Sequence, residues 1–331
     1  MKSLNVALIG CGIVGLRRIK LFGNKFILKA CADKYINKKK NLLKNKNILF
    51  TNNWHDILKL NELDAVFIAT YHSDQGKIIE AFLKKSIHIF CEKPGCISLT
   101  TTKKLKRISE AKKNIIVKIG FNHRYHPSII LAKKIIKKKT LGKILYLRGI
   151  YGHGGRKNYH KEWRFNRKLS GGGELIDKGS HLIDLSRIFL GDLKVHSSFI
   201  KNYFWKTKLE DNCFFSLKNS KNNLSFLHSS STEWKNKFTF EIFCKYGKIE
   251  IIGLGKSYGK EKLILYKMSK NMGIPKKKVK SFTKYQSNNS WKIEIDDFYH
   301  SITKKKSCEP NIKDVYKNLL IIKELYRNDN S

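Results

Sequence analysis

Residues 4–15 read LNVALIGCGIVG, and how this stretch is read decides the fold. A short aliphatic run, 4–9, leads straight into Gly10, Gly12 and Gly15, and residues 13–22 continue with helical recurrence. Strand, tight turn and helix thus carry G-x-G-x-x-G in register. The first glycine permits the turn, the second lets a pyrophosphate approach the backbone, and the third lets helix and strand pack closely. Unpaired N–H groups at the helix start, at Ile13 and Val14, add partial positive charge. Residues 26–32 form the next apolar strand, with Asp33 at its end. A carboxylate there accepts hydrogen bonds from an adenosine ribose and repels a 2'-phosphate, so NAD is favoured over NADP. Lys34 and Lys38 to Lys40 keep NADP open, and Asp33 also reads as an ordinary turn residue.

The alternation continues as in an open parallel sheet, with strands expected at 47–50, 64–70, 86–90 and 115–121 and helices at 54–60, 75–84 and 99–113. Functional residues of such sheets follow the carboxyl ends of strands. Thr70, His72 and Ser73 follow one strand, Glu92, Lys93 and Pro94 the next, and Asn122, His123, Arg124 and Tyr125 the last. His72 also reads as a solvated loop residue. Lys93 is harder to treat as surface, being wedged between Glu92 and a proline that could hold a cis bond.

Beyond Pro127 the pattern changes. A helix at 129–138 and a strand at 144–151 precede a long polar loop with His153, Arg156, His160, Trp163 and Arg164, and a loop of that length is usually functional or disordered. It leads to GGGELIDKGSHLID, residues 171–184. Three glycines suit a sharp bend or close approach to a ligand, and the helix after them spaces Asp177 and His181 four apart, on one face. Taken alone, this stretch reads equally as a capped core helix with satisfied polar residues. Strands are expected at 194–203, 211–217, 224–230, 238–244, 247–252, 263–267 and 279–282, with 270–280 an exposed connection and helices at 291–303 and 312–326. The expected architecture is an α/β Rossmann nucleotide-binding domain, 1–122, followed by an α+β domain with a large mostly antiparallel sheet, 123–308, and a carboxyl-terminal helical segment, 309–331.

At 331 residues and 41% hydrophobic composition, two real cores can be filled. Seven scattered cysteines without CxxC or zinc-like spacing read as free thiols of a reducing cytoplasm, with no metal site. The net charge of +42 favours anionic partners, yet the lysines run throughout the chain and no nucleic-acid-binding motif accompanies them, so a solvated compositional bias is expected. No stretch has the length of a bilayer span, and the amino terminus lacks the apolar region of a signal peptide.

Four features in order, VALIGCGIVG, VFIATYHSDQG, CEKPGCISL, and GGGELIDKGSHLID after a WRF, resemble the Gfo/Idh/MocA family of nicotinamide-dependent oxidoreductases. The EKP loop together with D-x-x-x-H is the more specific part. The resemblance implies NAD or NADP across Gly10, Gly12, Gly15 and Asp33, with the loops at Thr70 and Glu92 to Pro94 reaching the nicotinamide end. It implies Lys93, Asp177 and His181 as the catalytic set, and Asn122, Arg124, Trp163 and Arg164 as lining or supporting a substrate pocket. His72 and Gln75 depart from the family pattern. It also implies a sugar-class substrate, anionic or neutral, a homodimer or homotetramer, and a final helix returning toward the nucleotide domain. Alternatives are an enzyme that keeps NAD bound and uses transient oxidation to cleave or rearrange a sugar, or a non-catalytic nucleotide sensor.

Overall fold

The computed structural model describes residues 2–38, 48–269, 271–283, 286 and 289–328. Lys39, Lys40, Asn47 and Lys270, each part of a reading above, lie outside the described residues. The chain divides into two compact units, Met1–Phe121 with Trp291–Tyr316, and Asn122–Ser290 with Lys317–Ser331.

The first unit is built on a parallel sheet of β1 (Leu4–Ile9), β2 (Phe26–Ala32), β3 (Leu49–Thr51), β4 (Ala65–Ile68), β5 (His88–Glu92) and β6 (Val117–Gly120). Its order is β3-β2-β1-β4-β5-β6, so direction reverses between β1 and β4 and the crevice for a ligand opens at their carboxyl ends. Strand β4 is buried on both faces, as its unbroken apolar sequence requires. Apolar clusters cover both sides, one around Val66, Ile79 and Ile89, the other around Phe26, Phe67 and Phe90.

Residues 291–308, expected in the second domain, complete this first unit instead. Phe298 and Tyr299, from the helix Ser290–Thr303, fill the cluster with Phe26, Phe67 and Phe90. Arg18, buried in the helix after the glycine turn, pairs through its Nη1 with Glu294 at 2.8 Å. The guanidinium also lies 4.1 Å from the centre of the Trp291 ring. A buried arginine needs such partners, and the chain supplies them from its far side. The expected 309–331 segment is not a separate piece, because the helix Ile312–Arg327 is divided between the two units after Tyr316.

The second unit carries β7 (Ile144–Gly152), β8 (Lys194–Lys201), β9 (Asn212–Lys218), β10 (Leu224–Ser230), β11 (Lys237–Cys244), β12 (Gly247–Ile252), β13 (Lys262–Lys267) and β14 (Lys276–Ser281). They form one sheet in the order β14-β13-β12-β11-β7-β10-β9-β8. The β7–β10 pair is parallel and the others are antiparallel. Residues 276–280, expected within a connection, form most of the edge strand β14, all of it exposed. Backbone pairing to β13 holds it with no buried side chain, Val279 included, and its lysines keep the free edge from pairing with another chain. On one face Leu182 packs over Gly149 of β7, and Ser186 bonds Ser225 at 2.8 Å. Strand alternation places Tyr146, Phe199, Phe214 and Phe226 together on the opposite face, where all are exposed. Among the described residues no helix is long and apolar enough to cross a membrane.

Candidate functional site

The three glycines of the opening turn do different work. A Cβ at Gly10, whose φ is +94°, would stand 2.5 Å from the Ala69 carbonyl oxygen, and one at Gly15 would stand 2.1 Å from that of Gly10. Gly12 faces open space, with nothing within 4 Å of an added Cβ, so any side chain there would fill a cradle. Ile13, at the first helical position, is 91% exposed. The Asp33 carboxylate accepts hydrogen bonds from the N–H of Cys11 at 2.7 Å and of Tyr35 at 2.8 Å, which fixes it beside the turn. An open cradle, a fixed carboxylate and an exposed apolar residue at the helix start fit a dinucleotide.

The loops after β4 and β5 differ in part from expectation. The helix expected at 75–84 spans His72–Lys84, so His72 is a buried first-turn residue rather than part of a loop. Asp74 favours this earlier start, because a carboxylate in the first turn is stabilised by the helix dipole. Thr70 donates its hydroxyl to the Tyr71 carbonyl. The Lys93–Pro94 bond is cis. Buried Gln75 clamps this turn: its Oε1 accepts from the Gly95 N–H at 2.9 Å, and its Nε2 donates to the Lys93 carbonyl at 3.4 Å. Glu92 pairs with Arg18 at 2.6 Å, so its carboxylate is engaged within the protein.

In the second unit the glycine triplet is explained by protein neighbours. Gly171 bends the chain at φ +84°. A Cβ at Gly172 would lie 2.1 Å from the Tyr326 hydroxyl, and one at Gly173 would lie 2.2 Å from the Glu210 carbonyl oxygen. The close approach is therefore to Tyr326 and Glu210, not to a ligand. Glu210 accepts hydrogen bonds from Gly173 N–H (2.9 Å), Leu175 N–H (3.2 Å) and the Tyr326 hydroxyl (2.7 Å). Burial raises its carboxyl pKa, while these donors work the other way.

The single expected helix after the glycines is a π-helical turn, Leu175–Gly179, running into an α-helix, Ser180–Leu190. Wider turns of this kind gather at functional sites. Asp177 Oδ2 lies 2.5 Å from Lys178 Nζ and 3.4 Å from Arg164 Nε. Lys178 is also 3.9 Å from Glu174, which accepts from the Tyr159 hydroxyl at 2.8 Å. Burial disfavours the Lys178 cation, but Asp177 and Glu174 outweigh it and hold the ammonium above the ordinary lysine range. Arg164 is held above its ordinary range in the same way, burial being outweighed by Asp177 and its neighbours. Buried His181 stacks on His123 with ring centres 3.9 Å apart and meets Tyr151 edge-on at 5.8 Å. Tyr151 in turn contacts Tyr258 at 5.4 Å, and burial pushes both phenol pKa values up.

Arg124 forks onto Asp184 with distances of 2.8 and 2.6 Å, so each side chain holds the other in place. Half-buried Asn122 opens the short turn Asn122–Tyr125, and Trp163 lies beneath the Arg164 guanidinium at 4.9 Å. Sequence reasoning missed Lys178, Tyr258 and Glu174. The signal available for Lys178 was its place beside Asp177, which the chain's many lysines masked.

Family comparisons cover both units. Residues 4–121 match the model described as an oxidoreductase family with an NAD-binding Rossmann fold, and residues 129–250 match the GFO/IDH/MocA C-terminal domain. The chain belongs to the Gfo/Idh/MocA family. Within it, the chain is 30% identical over 164 residues to levoglucosan dehydrogenase of Pseudarthrobacter phenanthrenivorans, covering 48% of this chain and 41% of that protein. It is 21% identical over 161 residues to inositol 2-dehydrogenase of Salmonella typhimurium, covering 44% of this chain and 45% of the relative. The matched stretch thus spans less than half the length of either curated relative. Among solved structures, levoglucosan dehydrogenase in complex with NADH and levoglucosan aligns with a TM-score of 0.86 and 21% identity, covering 99% of this chain and 97% of the other. Aldose-aldose oxidoreductase from Caulobacter crescentus aligns with a TM-score of 0.85 and 20% identity over the same shares. At these identities the structural likeness speaks for the fold.

Proposed function

We propose that this Gfo/Idh/MocA member is an NAD-dependent oxidoreductase that moves hydride between nicotinamide and a secondary alcohol or ketone of a sugar or sugar nucleotide, in surface-polysaccharide or modified-sugar synthesis. The observation that carries this reading is the half-buried array of Asp177, Lys178 and Arg164 in the π-turn and the loop before it, with buried His181 on the helix that follows. A nucleotide sensor would have no use for such an array. The names of the relatives, levoglucosan and inositol dehydrogenases, support a polyol or sugar substrate.

Gly10, Gly12, Ile13, Val14, Gly15 and Asp33 would hold the dinucleotide, with Thr70, the helix start at His72 and the loop Glu92 to Pro94 toward its nicotinamide end. When bound, nicotinamide accepts or returns the hydride. His181 takes the hydroxyl proton as the alcohol is oxidised and returns it on reduction, since imidazole has the side-chain pKa nearest neutrality. Lys93 polarises the reacting oxygen. Asp177, fixed by Lys178 and Arg164, orients the imidazole or accepts from an adjacent hydroxyl, while Asn122, Arg124, Trp163 and Arg164 line or support the substrate pocket.

The open aromatic face of the second sheet supports a homodimer or homotetramer, which light scattering would count. Seven buried free cysteines support a reducing compartment such as the cytoplasm. The central test is NAD release followed by a sugar and sugar-nucleotide panel read by NADH absorbance. Turnover without net absorbance change would identify an internal redox cycle. His181→Asn should lower turnover by roughly 100-fold or more while NAD still binds. Normal turnover across pH in H181N would remove His181 from the proton-transfer role.

A further inference from the structure

At the end of the second sheet where β7, β8 and β10 finish, an aromatic group stands in solvent. Tyr203 is 66%, Phe204 50% and Trp234 65% exposed. The Phe204 ring meets Trp205 edge-on at 5.1 Å and Trp234 at 4.8 Å. Trp205 touches Tyr159 at 5.5 Å, whose hydroxyl reaches Glu174, so the group is continuous with the candidate site of the same unit.

The fold holds these rings with unusual care. Buried Asp211 accepts from three successive backbone N–H groups, those of Tyr203 (2.9 Å), Phe204 (2.7 Å) and Trp205 (3.0 Å). The Trp205 indole N–H donates to the Ser231 carbonyl at 3.1 Å. A Cβ at Gly155 would stand 2.0 Å from the Trp205 ring. Trp234 has φ +51°, a left-handed conformation that is costly for a bulky residue and tends to persist where function requires it. The surroundings are cationic: Lys206, Lys208 and Lys235 are exposed, whereas the neighbouring acids Glu210 and Asp211 are buried and Glu233 is half-buried.

Resting on the sugar-class reading above, we propose that this platform binds the nucleoside diphosphate of a nucleotide-linked sugar. The base stacks on the exposed Trp234 ring, against which Phe204 stands edge-on, and the diphosphate lies along Lys206 and Lys235. Charge complementarity selects this occupant. A neutral glycoside would leave the lysines unused, and a second copy of the chain would bring the same lysines against them.

The test is calorimetric titration of UDP into protein saturated with NAD, which keeps UDP out of the glycine-turn site. UDP should bind and quench tryptophan fluorescence, with affinity about tenfold weaker in Trp234→Ala and in Phe204→Leu. The control Lys277→Glu, on the edge strand, should leave UDP affinity unchanged. UDP affinity equal to wild type in both aromatic variants overturns the proposal. So does UDP binding abolished by NAD, binding of methyl glucoside as tight as UDP, or an altered assembly mass in W234A. If W234A does not fold, F204L decides. Failure of NAD binding would sink the oxidoreductase reading, yet UDP titration without NAD, compared between wild type and F204L, would still test the platform.

Discussion

Replacing Lys178 with methionine keeps an apolar stem but removes the cation that Asp177 meets at 2.5 Å and Glu174 at 3.9 Å. Of the two carboxylates, Asp177 keeps Arg164 at 3.4 Å, a guanidinium it shares with Glu162 at 3.1 Å. Breaking a buried pair by deleting one partner costs about 3–5 kcal/mol, and the partial exposure of this pair, with the arginine that remains, places it at the low end, about 3 kcal/mol at pH 8. Urea unfolding at pH 8, compared at constant slope, reads the difference directly. If hydride transfer is the activity, the pH–rate profile should move as well, because the field on the neighbouring imidazole has changed. K178M within about 0.5 kcal/mol of wild type at pH 8, a range usual for surface substitutions, would refute the account of Lys178 as a structural counter-charge.

Gln75→Leu leaves the buried Gly95 N–H without its acceptor, so stability should fall by about 1–3 kcal/mol and kcat should fall more than KM rises as the Lys93 turn loosens; unchanged urea unfolding would contradict this. Burial raises the Glu294 carboxyl from 4.5 to about 7, against the pull of Arg18. The folded state therefore holds this proton more tightly than the unfolded chain, and the favourable contribution present below pH 4.5 is lost as pH climbs to 7, on the order of 3 kcal/mol. The wild-type minus Glu294→Gln stability difference should slope downward across that window, and a flat difference curve would count against it.

The sheet of the first unit was legible because its signals are local: unbroken aliphatic strands, glycines at fixed spacing and Asp33 at a strand end. The D-x-x-x-H stretch was legible for the same reason. What escaped depends on partners distant in sequence. Nothing near Gly172 or Gly173 announces that Tyr326 and Glu210 press against them. Nothing near Arg18 announces Glu294, nor marks Lys118 as fully buried against Asp297 at 2.6 Å. In a chain with 68 basic residues, a buried lysine looks like every other lysine. The π-turn was invisible too, since apolar spacing over five residues does not distinguish it from an α-helical turn.

The helix Ser290–Thr303 gives the first unit an unusual schedule. During synthesis, Phe26, Phe67 and Phe90 emerge long before Phe298, their partner in the same cluster, and Arg18 long before Glu294. A nascent piece ending at Phe121 has its parallel strands but lacks one wall of its core, and residues 122–290 of the second unit must be made before that wall arrives. The ribosome therefore releases the nucleotide-binding unit unfinished, leaving a window in which a chaperone has apolar surface to hold.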